Sequence, residues 1–161
     1  MNRWGIVSIL CLVAVPALAA PADDATAHSK AFERAVNARD AGAILALYAP
    51  DARVVWPGQG EEAKGKAEIE KLIATFLKGL PKDAKITLES QTAIPMGRGY
   101  IATIGHWKES FSDAAGKPQS ADVRTTEIIK KDKGKTVYVI DHASVGLPPE
   151  PVAQGQRPPS N

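Results

Sequence analysis

Cysteine is nearly absent from this chain. Cys11 is the only one in 161 residues, and it sits inside an apolar N-terminal stretch. Disulfides within the folded part are thereby excluded, and so is a metal held by paired thiolates. Runs of one charge are missing as well: 20 basic and 18 acidic residues leave a net charge of +2, and the signs alternate, as in Asp83-Ala84-Lys85. No basic stripe offers itself to nucleic acid, so no such partner is expected. No glycine-rich loop follows a strand and opens a helix, because Gly58-Gln59-Gly60 reads as a plain loop. Neither a cofactor nor a metal is expected, since the candidate site offers two histidines and no central carboxylate. There is no internal repeat.

What is present begins with a leader. Arg3, an apolar run from Trp4 to Val15, the helix-breaking Pro16 and Ala17-Leu18-Ala19 occur in the order of a secretory signal. The run is too short to span a bilayer. Residues 1–19 therefore read as a cleaved signal peptide, against the alternative of a retained amphipathic or membrane helix. The mature chain would begin at Ala20, lose Cys11, carry a net charge of +1 and reside in the periplasm or outside the cell, with no membrane attachment. At the other end, residues 148–161 mix five prolines with small and polar residues and read as an extended or disordered tail.

Between these ends one domain, residues 26–147, shows helix periodicity first and strand periodicity after. Thr26 can cap a helix with Phe32, Ala35 and Val36 on one face; a short helix follows from Ala43 to Tyr48, and Pro50 stops it. A strand from Ala52 to Trp56 precedes a third helix with Ile69, Leu72, Ile73 and Phe76 at helical spacing. Four strands, about 84–94, 99–109, 121–131 and 135–145, complete an α+β pattern.

The last two strands carry the densest polar grouping. If Asp132-Lys133-Gly134 is a three-residue hairpin loop with Gly134 left-handed, residue 133 is its midpoint and Arg124 lies opposite His142. The polar loop centred near Ala115 places His106 opposite Arg124. A row His106, Arg124, His142 would then share one face, with directly opposed side chains about 5 Å apart. Asp141, one residue from His142, must point to the other face. There it reads as a structural hydrogen-bond partner or a subunit contact, beside Trp107.

The order Phe32-Glu33-Arg34-Ala35-Val36-Asn37-Ala38-Arg39-Asp40, Leu47-Tyr48-Ala49-Pro50-Asp51-Ala52, Arg124-x-Thr126 and Asp141-His142-x-Ser144 resembles the SnoaL-like branch of the nuclear transport factor 2-like superfamily. The resemblance implies a curved antiparallel sheet wrapped by about three N-terminal helices, with a conical pocket between them. It also implies that the Arg and the terminal His turn into that pocket, whereas the residues alone leave open which sheet face lines it. Thr136 departs from the pattern, which usually shows Trp six residues before that His.

Two functions follow as expectations. One is a secreted pocket protein that binds a small, partly apolar, anionic molecule and has the means for acid/base isomerase or cyclase chemistry. In it Arg124 anchors the ligand, His142 is the base, and His106, Trp56 and Tyr48 line the site. The other is a noncatalytic periplasmic association module, with the outer sheet face, assigned to Trp107, Val123, Val137 and Val139, making a homodimer. The alternatives for the row are plain: a solvated ion pair for Arg124, and a satisfied core imidazole for His142.

Overall fold

The structure is a computed structural model and describes residues 21–58, 62–132 and 134–146. The signal peptide, the start at Ala20 and the proline-rich tail lie outside the described residues.

Two amphipathic helices open the chain, α1 (Pro21–Asn37) and the short α2 (Ala41–Ala46). Asp23 and Asp24 place negative charge at the α1 N-terminus, where the helix dipole favours it. Asp40 caps α2 by accepting the Ala43 amide at 2.8 Å. Strand β1 (Tyr48–Val55) follows at once, so Tyr48 begins a strand and does not end a helix. The two-residue β2 (Ala63–Lys64) leads into α3 (Gly65–Gly79), which buries Ile69, Leu72 and Ile73 as their spacing predicts. Strands β3 (Lys85–Gly97), β4 (Tyr100–Ser112), β5 (Pro118–Asp132) and β6 (Lys135–Val145) complete the chain.

The six strands form one sheet in the order β2-β1-β6-β5-β4-β3. It is antiparallel except where β1 runs parallel to β6, so the sheet is mixed and not purely antiparallel. The helices cover one of its faces, and the buried core, from Ile44 and Tyr48 to Ile129 and Tyr138, lies between. Helix α1 also satisfies the free edge of β3: Glu33 accepts the Leu88 amide at 2.8 Å, and Asn37 both accepts the Ile86 amide and donates to its carbonyl at 2.9 Å. An edge strand left bare would offer those groups to another chain. Here they fix the helix against the sheet and set the width of the space behind it.

The hairpin register departs from expectation in an instructive way. Asp132 pairs with Lys135, which closes a two-residue turn in which Gly134 has φ +79°. A bulge then opposes Ile128 and Ile129 with Ile140 and Tyr138, so that β6 carries one extra residue. Arg124 consequently faces Ser144, and His142 faces Thr126. Two one-residue shifts add to two, which restores parity: His142 stays on the face of Arg124 although the two are no longer opposite. The β4 to β5 register, His106 opposite Arg124, is as expected.

Candidate functional site

Strand β6 lies between β1 and β5, so Asp141 in its middle has neighbours on both sides: Val54 on β1 and Glu127 on β5. The chain entering and leaving β1 supplies two donors. Tyr48 Oη donates to Asp141 Oδ2 at 2.6 Å, and Trp56 Nε1 donates to the same oxygen at 2.9 Å. On β5, Glu127 accepts the Thr103 hydroxyl at 2.5 Å through Oε2. Both acids are nearly sealed from solvent, Glu127 at 2% exposure and Asp141 at 4%.

Two buried carboxyl groups on adjacent strands cannot both ionise freely. Burial first, then the neighbouring Asp141 charge, pushes the Glu127 carboxyl up to about 7, against the opposing pull of the Thr103 and Thr125 hydroxyls. Burial also raises Asp141, but the Tyr48 and Trp56 donors favour its ionised form. Glu127 is therefore the acid that keeps its proton up to about 7, with the Asp141 charge helping to hold it there. Burial and then the Asp141 charge raise the Tyr48 hydroxyl well above its usual range, so it remains a neutral donor. Beyond Tyr138, whose ring lies 4.2 Å from that of His28, burial lowers His28 to about 4 and keeps it neutral.

Above this acid floor stands a cavity of about 280 Å³ between sheet and helices. Its walls are aromatic: Phe32 from α1, Trp56 after β1, Phe76 from α3 and Trp107 from β4. Phe32 meets the two indoles edge to face, with ring centroids 6.0 Å from Trp56 and 5.9 Å from Trp107, and Trp56 lies 4.9 Å from Phe76. The Trp107 indole donates to Thr125 Oγ1 at 3.3 Å, which a glycine permits. A Cβ on Gly105 would lie 2.5 Å from that hydroxyl and 2.8 Å from the indole nitrogen.

The sequence-predicted residues divide between the two sheet faces. Trp56 is in the cavity wall, and Tyr48, 2% exposed, reaches the floor through Asp141. His106, Arg124 and His142 are exposed on the opposite face, where His106 and Arg124 border an open depression with Glu89 and Asp122. The expected row is thus preserved in parity but turned away from the helices. Trp107 and Val123, assigned to an outer association face, instead line the cavity. The physical reason is hydrophobic alternation. On β4 and β5 the odd positions carry Ile101, Trp107, Val123 and Ile129, while the even positions mix Ile104 and Ile128 with His106, Lys108, Asp122, Arg124 and Lys130. The helices cover the more apolar set. Glu127 and Asp141 were legible as acids stranded on that apolar parity, which is the signal that identifies them.

Among the described residues no group of three or more His, Cys, Asp or Glu side chains could hold a metal ion. The site offers acid/base groups, hydrogen-bond donors and an apolar enclosure.

The fold has many solved counterparts. The chain is similar to a putative calcium/calmodulin dependent protein kinase II association domain from Xanthomonas campestris, with TM-score 0.70 and 21% identity over 90% of this chain and all of that one. It is also similar to a ketosteroid isomerase-like protein from Erwinia carotovora atroseptica, at TM-score 0.66 and 18% identity over 78% of this chain and 96% of that one. A hexachlorocyclohexane dehydrochlorinase, LinA-type3 from Novosphingobium barchaimii, gives TM-score 0.67 and 12% identity over 78% of this chain and 86% of that one. These identities bear on fold alone. No curated protein matches the sequence. Residues 29–139, most of the chain, match the SnoaL-like domain, and the chain belongs to that family.

Proposed function

We propose that this SnoaL-like protein is an acid/base enzyme of isomerase or cyclase type, acting on a small apolar molecule held in the cavity between helices and sheet. One arrangement carries the reading: a buried Glu127, pushed up to about 7, beside an Asp141 whose Oδ2 accepts both Tyr48 and Trp56, at the floor of an aromatic enclosure. A carboxyl group poised near 7 is matched to giving and taking protons at neutral pH. Asp141 stays in place as the fixed charge. The enclosure excludes water and strengthens these electrostatic terms. Because the cavity floor is acidic and Arg124 lies on the other face, the substrate carries no negative charge, in contrast to the anionic ligand that the sequence suggested. Proton exchange at carbon tests the idea. Small apolar ketones incubated with the protein in D2O should gain deuterium beside the carbonyl, followed by NMR, and Glu127→Gln should abolish the gain. Exchange that persists unchanged in Glu127→Gln would contradict it.

A second reading is favoured by the outer face. Ile94, Ile104 and Ile140 are 47%, 45% and 41% exposed there, in two cross-strand rows, Ile94-Ala102-Ile128-Ile140 and Ile104-Thr126-His142-Val55. Such a ladder fits a second copy of the chain. Two structural counterparts are described as association domains, and we propose a homodimer through this face, compatible with the cavity's chemistry. Sedimentation at micromolar concentration should give twice the chain mass, and Ile140→Glu should give the monomer; a monomeric wild type would exclude it. Export to the periplasm or beyond is part of the proposal and rests on residues 1–19 of the sequence.

A further inference from the structure

The charged groups that line the cavity are acids but for one lysine. Glu109 at its rim and Glu127 and Asp141 at its floor are acids, and the only basic residue on its border, Lys108, holds its amine 3.8 Å from Glu89. Buried charge in proteins is ordinarily paired with an opposite charge. Every salt bridge among the described residues joins other, more exposed groups, and none reaches Glu127 or Asp141. The floor is therefore answered by the Tyr48 and Trp56 donors and by no salt bridge from inside the cavity. What stands over it is four aromatic rings, the side chains whose π-faces attract cations.

We propose that the cavity's ligand is a small hydrophobic ammonium, with its nitrogen set above the Glu127 and Asp141 carboxyls and its apolar substituents among Phe32, Trp56, Phe76 and Trp107. The proposal rests on the cavity being the ligand site and names the chemical class that the site prefers. The cation would be the missing counter-ion of the floor, and its hydrocarbon part would fill space that water occupies poorly. An ammonium bound there would also favour the ionised form of Glu127, releasing its proton to solvent and leaving a carboxylate base beside the ligand.

A pair of ligands equal in shape and different in charge decides the matter. Benzyltrimethylammonium and its carbon isostere neopentylbenzene are titrated into the intact protein, with quenching of tryptophan fluorescence as the readout. The ammonium should bind at least about tenfold more tightly, the size expected of a desolvated cation over aromatic rings and carboxylates. In the double variant Glu127→Gln/Asp141→Asn, which keeps shape and removes the acids, the two ligands should bind about equally. If that variant does not fold, the single change Asp141→Asn, which can still accept from Tyr48 and Trp56, should lower the preference at least about threefold. An isostere that binds wild type as tightly as the ammonium overturns this inference while leaving the cavity a ligand site. Binding of neither overturns the cavity reading together with it.

Discussion

The two faces of the sheet are written in alternate residues of the same strands, and they spend their charge in opposite ways. Outward, His106, Arg124 and His142 stand exposed beside isoleucines, each able to find water. Inward, Glu127 and Asp141 are sealed beneath aromatic rings and answered by the hydroxyls of Thr103 and Tyr48 and the indole of Trp56. A charge in water is ordinary, whereas a charge in an apolar enclosure is held at a cost and acquires an altered proton affinity. The groups whose proton affinity the fold alters are therefore the inward acids.

Removing an inward acid should have the largest consequence. Asp141→Ala strands two buried donors at once, and at about 1 to 3 kcal/mol for each unsatisfied group the loss should reach about 2 to 6 kcal/mol in urea unfolding. The corresponding outward change, His142→Ala, should stay within about 0.5 kcal/mol. Equal effects would erase the distinction between the faces.

The fold was legible because the helix and strand periods in the sequence are strong. Ile69, Leu72 and Ile73 sit where their spacing put them, and His106 pairs with Arg124. The site was legible only in part. Parity put His106, Arg124 and His142 together on one face and Asp141 on the other, but parity does not say which face the helices cover. The helices cover the set that holds Ile101, Trp107, Val123 and Ile129, while Ile94, Ile104 and Ile140 stay on the other face. The resemblance to relatives with an inward Arg pointed the wrong way. The β6 bulge was not legible either, since no glycine or proline marks Val139.

Next in size is a pH dependence that only the inward face should show. The Glu127 carboxyl takes up its proton near 7 in the folded chain and near the ordinary glutamate value of 4.5 when unfolded, so between these values the folded state binds more protons. Its contribution to stability is present in full below about 4.5 and lost as pH rises to about 7, amounting to up to about 3 kcal/mol. Glu127→Gln should remove this slope, so that the variant gains on wild type from pH 4.5 to 7. A wild-type slope unchanged in the variant would assign it to other groups.

Smaller still is the effect of crowding one wall. Gly105→Ala would drive a methyl group into Thr125 Oγ1 and the Trp107 indole, costing about 1 to 3 kcal/mol and shifting tryptophan fluorescence as the indole leaves its place. An unchanged spectrum would mean that the wall can yield without moving Trp107.

The titration of Glu127 itself tests the inward pair most directly. Carbon-13 NMR of the side-chain carboxyl groups, with the Glu127 resonance assigned by its disappearance in Glu127→Gln, should show that carbon titrating near 7. A Glu127 carboxyl that titrates at the ordinary glutamate value, near 4.5, would contradict the raised proton affinity and with it the acid/base reading of the cavity.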